Sequence, residues 1–182
     1  SYIVFSDDSF SAMPYEDLLL FSGLYRKDIG LPFRCLVSPS TISEDKLSLL
    51  IECGLKSVQM GIESASPEVL RLYKRNGGID AVKNAVKILN KYKSRIDPPI
   101  YDIIVDNPFE TSKSRLETLR FLISLPKPFR IQLFSLILFP KTDLYDRYIK
   151  DNLCSKRSLD IINRQFFEIE LNYINLLLIF VK

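Results

Sequence analysis

The sequence predicts an α/β protein in which parallel strands are covered by helices. Three observations carry this reading. Short apolar runs alternate five times with helical stretches along 182 residues, and parallel strands need such crossover helices. Polar residues follow the strands, at the end where parallel α/β sheets bind their ligands. Polar residues also interrupt the strands on one face, whereas central parallel strands buried on both sides should be apolar on both.

The elements follow in order. Tyr2 to Phe5 reads as a strand. "PYEDLLLFSGLYRK" follows as a helix with Pro14 in its first turn, and "FRCLV" is the next strand. "TISEDKLSLLIECG" has the marks of a helix: Thr41 and Glu44 form a capping box, Leu47, Leu50 and Ile51 share a face, and Gly54 closes it. "SVQMGI" is a strand. Ser66 caps a short helix that stops at Asn76-Gly77-Gly78. Asp80 then caps a longer helix with Val82, Ala85, Val86 and Leu89 at helical spacing. "IYDIIV" is a strand, "TSKSRLETLRFLISL" a helix halted by Pro126, "RIQLFSLIL" a strand, and "TDLYDRYI" opens a further helix. Tyr173 to Val181 fits a strand or a helix equally. No low-complexity linker divides the chain, so residues 1–182 read as one domain.

Composition narrows the chemistry. There is no histidine, which excludes Ser-His-Asp and Cys-His mechanisms and imidazole-based zinc sites within this chain. Three cysteines, Cys35, Cys53 and Cys154, show no CxxC spacing. So sparse a set suits a reducing, cytoplasmic compartment, and Cys35 and Cys53 read as core fillers. A net charge of +3 without a basic cluster gives no nucleic-acid footprint; "YKSR" and "SKR" read as solvated ends. Leu176 to Val181 is too short to span a bilayer, and no signal peptide is visible. The chain opens inside a strand and ends in an apolar stretch, and reads as a fragment.

The strand ends give the candidate site. They are Ser6-Asp7-Asp8, Ser38-Pro39-Ser40, Gly61-Ile62-Glu63-Ser64, Asp106-Asn107-Pro108 and Phe139-Pro140-Lys141-Thr142. Turns are often polar for local reasons, but Glu63 is a poor turn former. Side-chain alternation puts Gln59, Gly61 and Glu63 on one face, Asp102, Ile104 and Asp106 on one face, and Arg130, Gln132 and Phe134 on one face. A buried, unpaired Asp is costly. The expectation is therefore that these faces line one concave surface, the inside of an incomplete, wet barrel.

"VFSDDSF", "VQMGIESASPEVL", "YDIIVDNPFET" and "FSLILFPKTDLYDRY" together resemble the radical S-adenosylmethionine (SAM) enzymes. The group most resembled is the one whose members often carry a cobalamin-binding domain ahead of the core. The resemblance covers roughly residues 2 to 150. It implies a partial (β/α)6 TIM-like barrel, a [4Fe–4S] cluster held by CxxxCxxC, and reductive cleavage of SAM to a 5′-deoxyadenosyl radical. Position by position, it places Asp7 and Asp8 near the SAM amino group, and Glu63 and Ser64 near its methionyl or ribose portion. Asp106, Asn107 and Pro108 match the segment after the family's fifth strand. There relatives write Gly-x-Pro-Gly-Glu-Thr, while this chain has Asp106 and Phe109 for the glycines and keeps Glu110 and Thr111. Leu138 to Pro140 match the adenine-side wall. With Ser38 at the second strand end, Asp7, Asp8, Ser38, Glu63, Ser64, Asp106, Asn107, Leu138 and Pro140 are the candidate cofactor-binding residues.

One departure matters most: the chain has no CxxxCxxC. It begins at what would be the family's second strand, so the first strand and the cluster loop are missing. Cluster ligands, and any cobalamin site, belong on this reading to a longer parent protein, and the chain alone is expected to be inactive. The partner expected is a small-molecule substrate, with no nucleic acid and no membrane, and the exposed sheet edge invites association. Two other readings fit the residues. One is a Mg- or Mn-dependent hydrolase using Asp7, Asp8 and Glu63 as oxygen ligands; the other is a non-catalytic ligand-binding barrel.

Overall fold

Side-chain alternation decides which face of the sheet is dry. The computed structural model describes residues 2–153, 165 and 167–181. Among these, strands β1 (Ile3–Phe5), β2 (Phe33–Val37), β3 (Leu55–Glu63), β4 (Ile100–Val105) and β5 (Arg130–Ser135) form one sheet in the order β1-β2-β3-β4-β5. Every neighbouring pair is parallel. Helices α1 (Tyr15–Asp28), α2 (Glu44–Glu52), α3 (Pro67–Leu72), α4 (Gly78–Lys91), α5 (Ser112–Ser124), α6 (Asp143–Lys150) and α7 (Tyr173–Phe180) complete the described elements. The strands follow one another in space as they do in sequence, which is the winding of a TIM-like barrel left open. The α/β expectation holds.

Phe33, Cys35 and Val37 of β2, Val58, Met60 and Ile62 of β3, and Tyr101, Ile103 and Val105 of β4 are all buried in the main core. They meet Leu47 and Leu50 of α2, Val82, Ala85, Val86 and Leu89 of α4, and Leu119 and Leu122 of α5. The short β1 is held by aromatic packing as well as its ladder. Phe5 lies 4.9 Å from Phe10, 5.6 Å from Phe21 and 5.3 Å from Phe33 between ring centroids. Such pairs contribute about 0.5–1.5 kcal/mol each beyond their buried area. Alternation sends the intervening residues to the other face: Val4, Arg34, Leu36, Gln59, Gly61, Glu63, Asp102, Ile104, Gln132 and Phe134.

Several local expectations need correction. The N-cap of α2 is Ser43, whose side chain accepts from the Lys46 amide, and not Thr41. The Thr41 hydroxyl is engaged elsewhere, 2.6 Å from Ser11 Oγ and donating to the Ser38 carbonyl. α4 starts at Gly78, with Gly77 in the left-handed conformation at its N-cap, so Asp80 sits inside the first turn and does not cap it. β5 ends at Ser135; the Leu136 amide still donates to the Val105 carbonyl at 2.9 Å, and the Leu136 and Leu138 side chains pack with Tyr148 in a second small core. The ambiguous stretch from Tyr173 is a helix, capped by Asn172. Cys35 and Cys53 are buried and free, as expected of core fillers, while Cys154 and Ser155-Lys156-Arg157 lie outside the described residues.

Candidate functional site

The carboxyl ends of β3, β4 and β5 enclose a cavity of about 400 Å³. Its lining residues are Glu63, Asp102, Ile104, Phe134, Ser135, Leu136, Ile137 and Phe139. Two carboxylates thus face a largely apolar wall.

Glu63 ends β3 with a positive φ of 66°, at a break in the β3–β4 register between Gly61 and Glu63. That turn folds its carboxylate back over Gly61, where a Cβ would collide with it. Arg75, from the loop after α3, donates to Glu63 Oε1. Burial nevertheless pushes the Glu63 carboxyl up to about 7; Arg75 opposes the shift and the Asp102 charge adds to it. Asp102, two residues into the visible face of β4, accepts from Gln59 Nε2 on both oxygens, at 2.9 and 2.7 Å. Burial pushes it up to about 6, against the Gln59 hydrogen bond and the Arg34 charge. Arg34 Nε, on the same face of β2, is buried without a hydrogen-bond partner among the described residues. The face is polar, and Gln59 and Asp102 satisfy one another across neighbouring strands.

The sequence-derived site residues separate into distinct settings. Asp7 and Asp8 are exposed in the turn after β1, whose following Ser9 Oγ accepts from the Ser38 amide at 3.1 Å. Ser38 Oγ lies 3.2 Å from Ser40 Oγ. Glu63 lines the cavity, whereas the neighbouring Ser64 turns toward α5 and pairs with Thr118 Oγ1 at 3.0 Å. Asp106, with φ 59°, directs its carboxylate to Ser135 Oγ, the Glu170 amide and Asn175 Nδ2. Asn107 is fully buried; it donates to Tyr73 OH and accepts from the Phe109 amide, both at 2.9 Å. Leu138 is buried in the second core and Pro140 is exposed beside it. Leu138 also lines a neighbouring open cleft of about 630 Å³ with Tyr73, Lys74, Arg75, Ile137 and Phe139. Gln59 and Asp102 stand on the concave face where side-chain alternation puts them, while Arg34 and Arg75 belong to the cavity's surroundings without being among the candidates. A charge inside "FRCLV" was a visible signal for Arg34, but only folding brings Arg75 to Glu63.

A parallel sheet wound in chain order, open at its edges and carrying its polar cavity at the carboxyl ends of the strands, defines an incomplete TIM-like barrel with a ligand face. The family follows from the sequence match: residues 1–122 fit the model described as the radical SAM superfamily, and the chain belongs to that family. No curated protein matches it. Among solved structures it resembles coproporphyrinogen III oxidase from Escherichia coli, described as a radical SAM enzyme (TM-score 0.71, 21% identity, 90% of this chain and 38% of that one). It also resembles an archaeal Elp3 from Methanocaldococcus infernus (TM-score 0.64, 14% identity, 82% of this chain and 40% of that one). A third neighbour is the SAM methyltransferase TsrM of Kitasatospora setae, whose structure holds cobalamin and a [4Fe–4S] cluster (TM-score 0.60, 19% identity, 75% of this chain and 27% of that one). At these identities the likeness is one of fold. The chain spans well under half of each neighbour's length.

The family works with SAM and a [4Fe–4S] cluster. The described residues fit the first group: carboxylates stand beside an apolar wall, a match for a cationic nucleoside. They do not fit the second. Among the described residues no three His, Cys, Asp or Glu side chains come together as a metal site. Cys35 and Cys53 point into the dry core, where burial raises both thiols, Cys35 to about 12; a cluster ligand must be a thiolate. No helix among the described residues is long and apolar enough to cross a membrane.

Proposed function

We propose that this chain is the part of a radical SAM enzyme core that binds SAM across the carboxyl ends of its strands, in one cytoplasmic domain. The observation that carries the proposal is the pairing, in one cavity, of two buried carboxylates with an apolar wall. SAM carries an ammonium, a sulfonium, a ribose diol and an adenine. In this reading Glu63 and Asp102 face its positive charge, with Glu63 held in place by Arg75 and Asp102 by Gln59. Leu136 to Phe139 flank the adenine, and Asp7, Asp8 and Ser38 close the β1–β2 side. Ser64 and Asn107 brace the turns behind these groups. Bound here, SAM would be held by Glu63, Asp102 and Leu136 to Phe139, and would supply the radical chemistry general to the family once a cluster carried elsewhere in the enzyme were brought beside it. The cluster ligands, any cobalamin and the small-molecule substrate lie with other parts of the enzyme. Among the described residues β1 pairs on one side only, and we place association at its other edge.

The test is isothermal titration of the purified chain with SAM, S-adenosylhomocysteine and, separately, Mg²⁺ or Mn²⁺. Binding of SAM that weakens about tenfold or more in Glu63→Gln or Asp102→Asn at pH 8 supports the assignment, since each variant removes a charge-assisted contact. Saturable metal binding abolished by Glu63→Gln, with no SAM binding, would replace it with the carboxylate–metal hydrolase reading.

A further inference from the structure

Asp106 stands one residue past β4 in the left-handed region, φ 59°, a conformation that costs a non-glycine residue. Its side chain accounts for its presence there. Three donors converge on the carboxylate: Ser135 Oγ at 3.0 Å, the Glu170 amide at 2.9 Å and Asn175 Nδ2 at 2.7 Å. All three are donors, and an ionised carboxylate is acceptor-only. Two of them come from more than 60 residues away in the chain. Asn175 is itself buried, 3% exposed, and its Nδ2 also donates to the Glu170 carbonyl at 2.9 Å. The segment held in this way runs into α7, which continues along α5 and β5. At its near end the Phe167 ring lies 5.5 Å from that of Phe134. Phe134 and Ser135 both line the cavity, so the segment touches the cavity wall at one residue and is tied through Asp106 to the next.

We propose that Asp106 is a positioning residue, a latch that ties residues 167–181 to the carboxyl end of β4 and to Phe134 and Ser135 of β5, two residues that line the cavity. Its carboxylate serves Ser135, the Glu170 amide and Asn175, not a bound ligand. The inference does not depend on what the cavity binds.

Hydrogen–deuterium exchange without ligand tests it, on the wild type, Asp106→Gly, Asn175→Ala and the double variant. Glycine suits the left-handed turn, so a residue needed only for that turn would tolerate Asp106→Gly with no loss of protection. The latch predicts that amides of residues 173–180 exchange about tenfold faster or more in either single variant, because a charge-assisted contact is lost locally. The double variant should exchange less fast than the product of the two single effects, since the Asp106–Asn175 contact is common to both. Chymotrypsin should cut the loosened segment at Phe167 or Tyr173 while β3 and β4 keep their protection. Wild-type exchange in α7 of Asp106→Gly overturns the proposal, as does a double variant whose effects multiply. Should Asp106→Gly fail to fold, Asn175→Ala decides alone, and unchanged protection there overturns the latch.

Discussion

Replacing Asp102 with Asn should make the protein more stable at pH 8 and leave it nearly unchanged at pH 4. Burial raises the Asp102 carboxyl from 3.8 to about 6 in the folded state, against the pull of Gln59 and Arg34. A group whose folded value lies above its unfolded value binds its proton more tightly when folded. Its contribution to stability is therefore fully present below the unfolded value, near pH 4, and is lost as pH rises through the folded value near 6. By pH 8 the native state carries the whole penalty of a buried charge. Two pH units correspond to about 3 kcal/mol; solvent reaching the open cavity screens part of this, leaving about 2 kcal/mol. Asn keeps the shape and can still accept from Gln59, but has no charge to desolvate. It keeps one acceptor oxygen for Gln59, as the protonated Asp102 does at pH 4, so the two proteins compare most closely there and the slope is diagnostic.

The assay is urea denaturation of wild type and Asp102→Asn at half-unit steps from pH 4 to 8, with the m-values checked for equality. The difference between the two proteins should grow by about 2 kcal/mol across that range, most of it between pH 4 and 6 and half of it by about pH 5, midway between the unfolded and folded values. A companion signal comes from Glu63, whose carboxyl is raised to about 7 partly by the Asp102 charge. In Asp102→Asn it should titrate lower by carbon-detected NMR. A stability difference that stays flat with pH, or falls as pH rises, would refute the placement of Asp102 as a buried charge facing Glu63.

Other outcomes follow from the same packing. Gly61→Ala places a Cβ against the end of the Glu63 side chain. Because that end can swing away, stability should change by no more than about 1 kcal/mol, while the Arg75–Glu63 pairing is lost, seen as a shift of the Arg75 guanidinium signals. Leu122→Ala removes a side chain that is 0% exposed between α5 and the sheet, and should cost about 2–5 kcal/mol in urea denaturation. In a Cys154→Ser background, Cys35 and Cys53 are both buried and should not react with a thiol-specific disulfide reagent until the protein is unfolded; fast reaction under native conditions would contradict their place in the dry core.

What the sequence disclosed follows from which interactions are local. The strand–helix order and the α4 stripe of Val82, Ala85, Val86 and Leu89 rest on periodicity, and the structure keeps them. Helix starts are less legible in the sequence because caps are decided by competition. Thr41 had the right spacing for α2, but Ser11, 30 residues earlier, holds its hydroxyl at 2.6 Å, leaving the cap to Ser43. Gly77, free to adopt φ 77°, starts α4 ahead of Asp80. The long strand read from Arg130 to Leu138 ends at Ser135 with one further ladder bond from the Leu136 amide to Val105, and Leu136 and Leu138 are buried with Tyr148, a contact 10 or more residues away that periodicity does not show.

The candidate site divides along the same line, and hydrogen-bond bookkeeping draws it. A strand end tells where a polar residue stands but not which way it turns. Ser64, Asn107 and Asp106 stand at strand ends, yet Thr118, Tyr73 and Asn175, distant in sequence, claim their side chains. Glu63 and Asp102 differ because the two-residue alternation alone assigns them to the face away from the helices, where the partners they have, Arg75 and Gln59, leave both carboxyls raised by burial. A carboxylate satisfied by three fixed donors has little further to gain from a ligand, whereas one held in a cavity at a pKa near neutrality gains from any cation that enters and lowers it again. Occupancy of the cavity by a cationic nucleoside should therefore release about one proton in total near pH 6.5, most of it from Glu63, so that the heat of binding varies with the ionisation enthalpy of the buffer. A binding heat independent of buffer at that pH would mean that the ligand's charge does not meet Glu63 and Asp102.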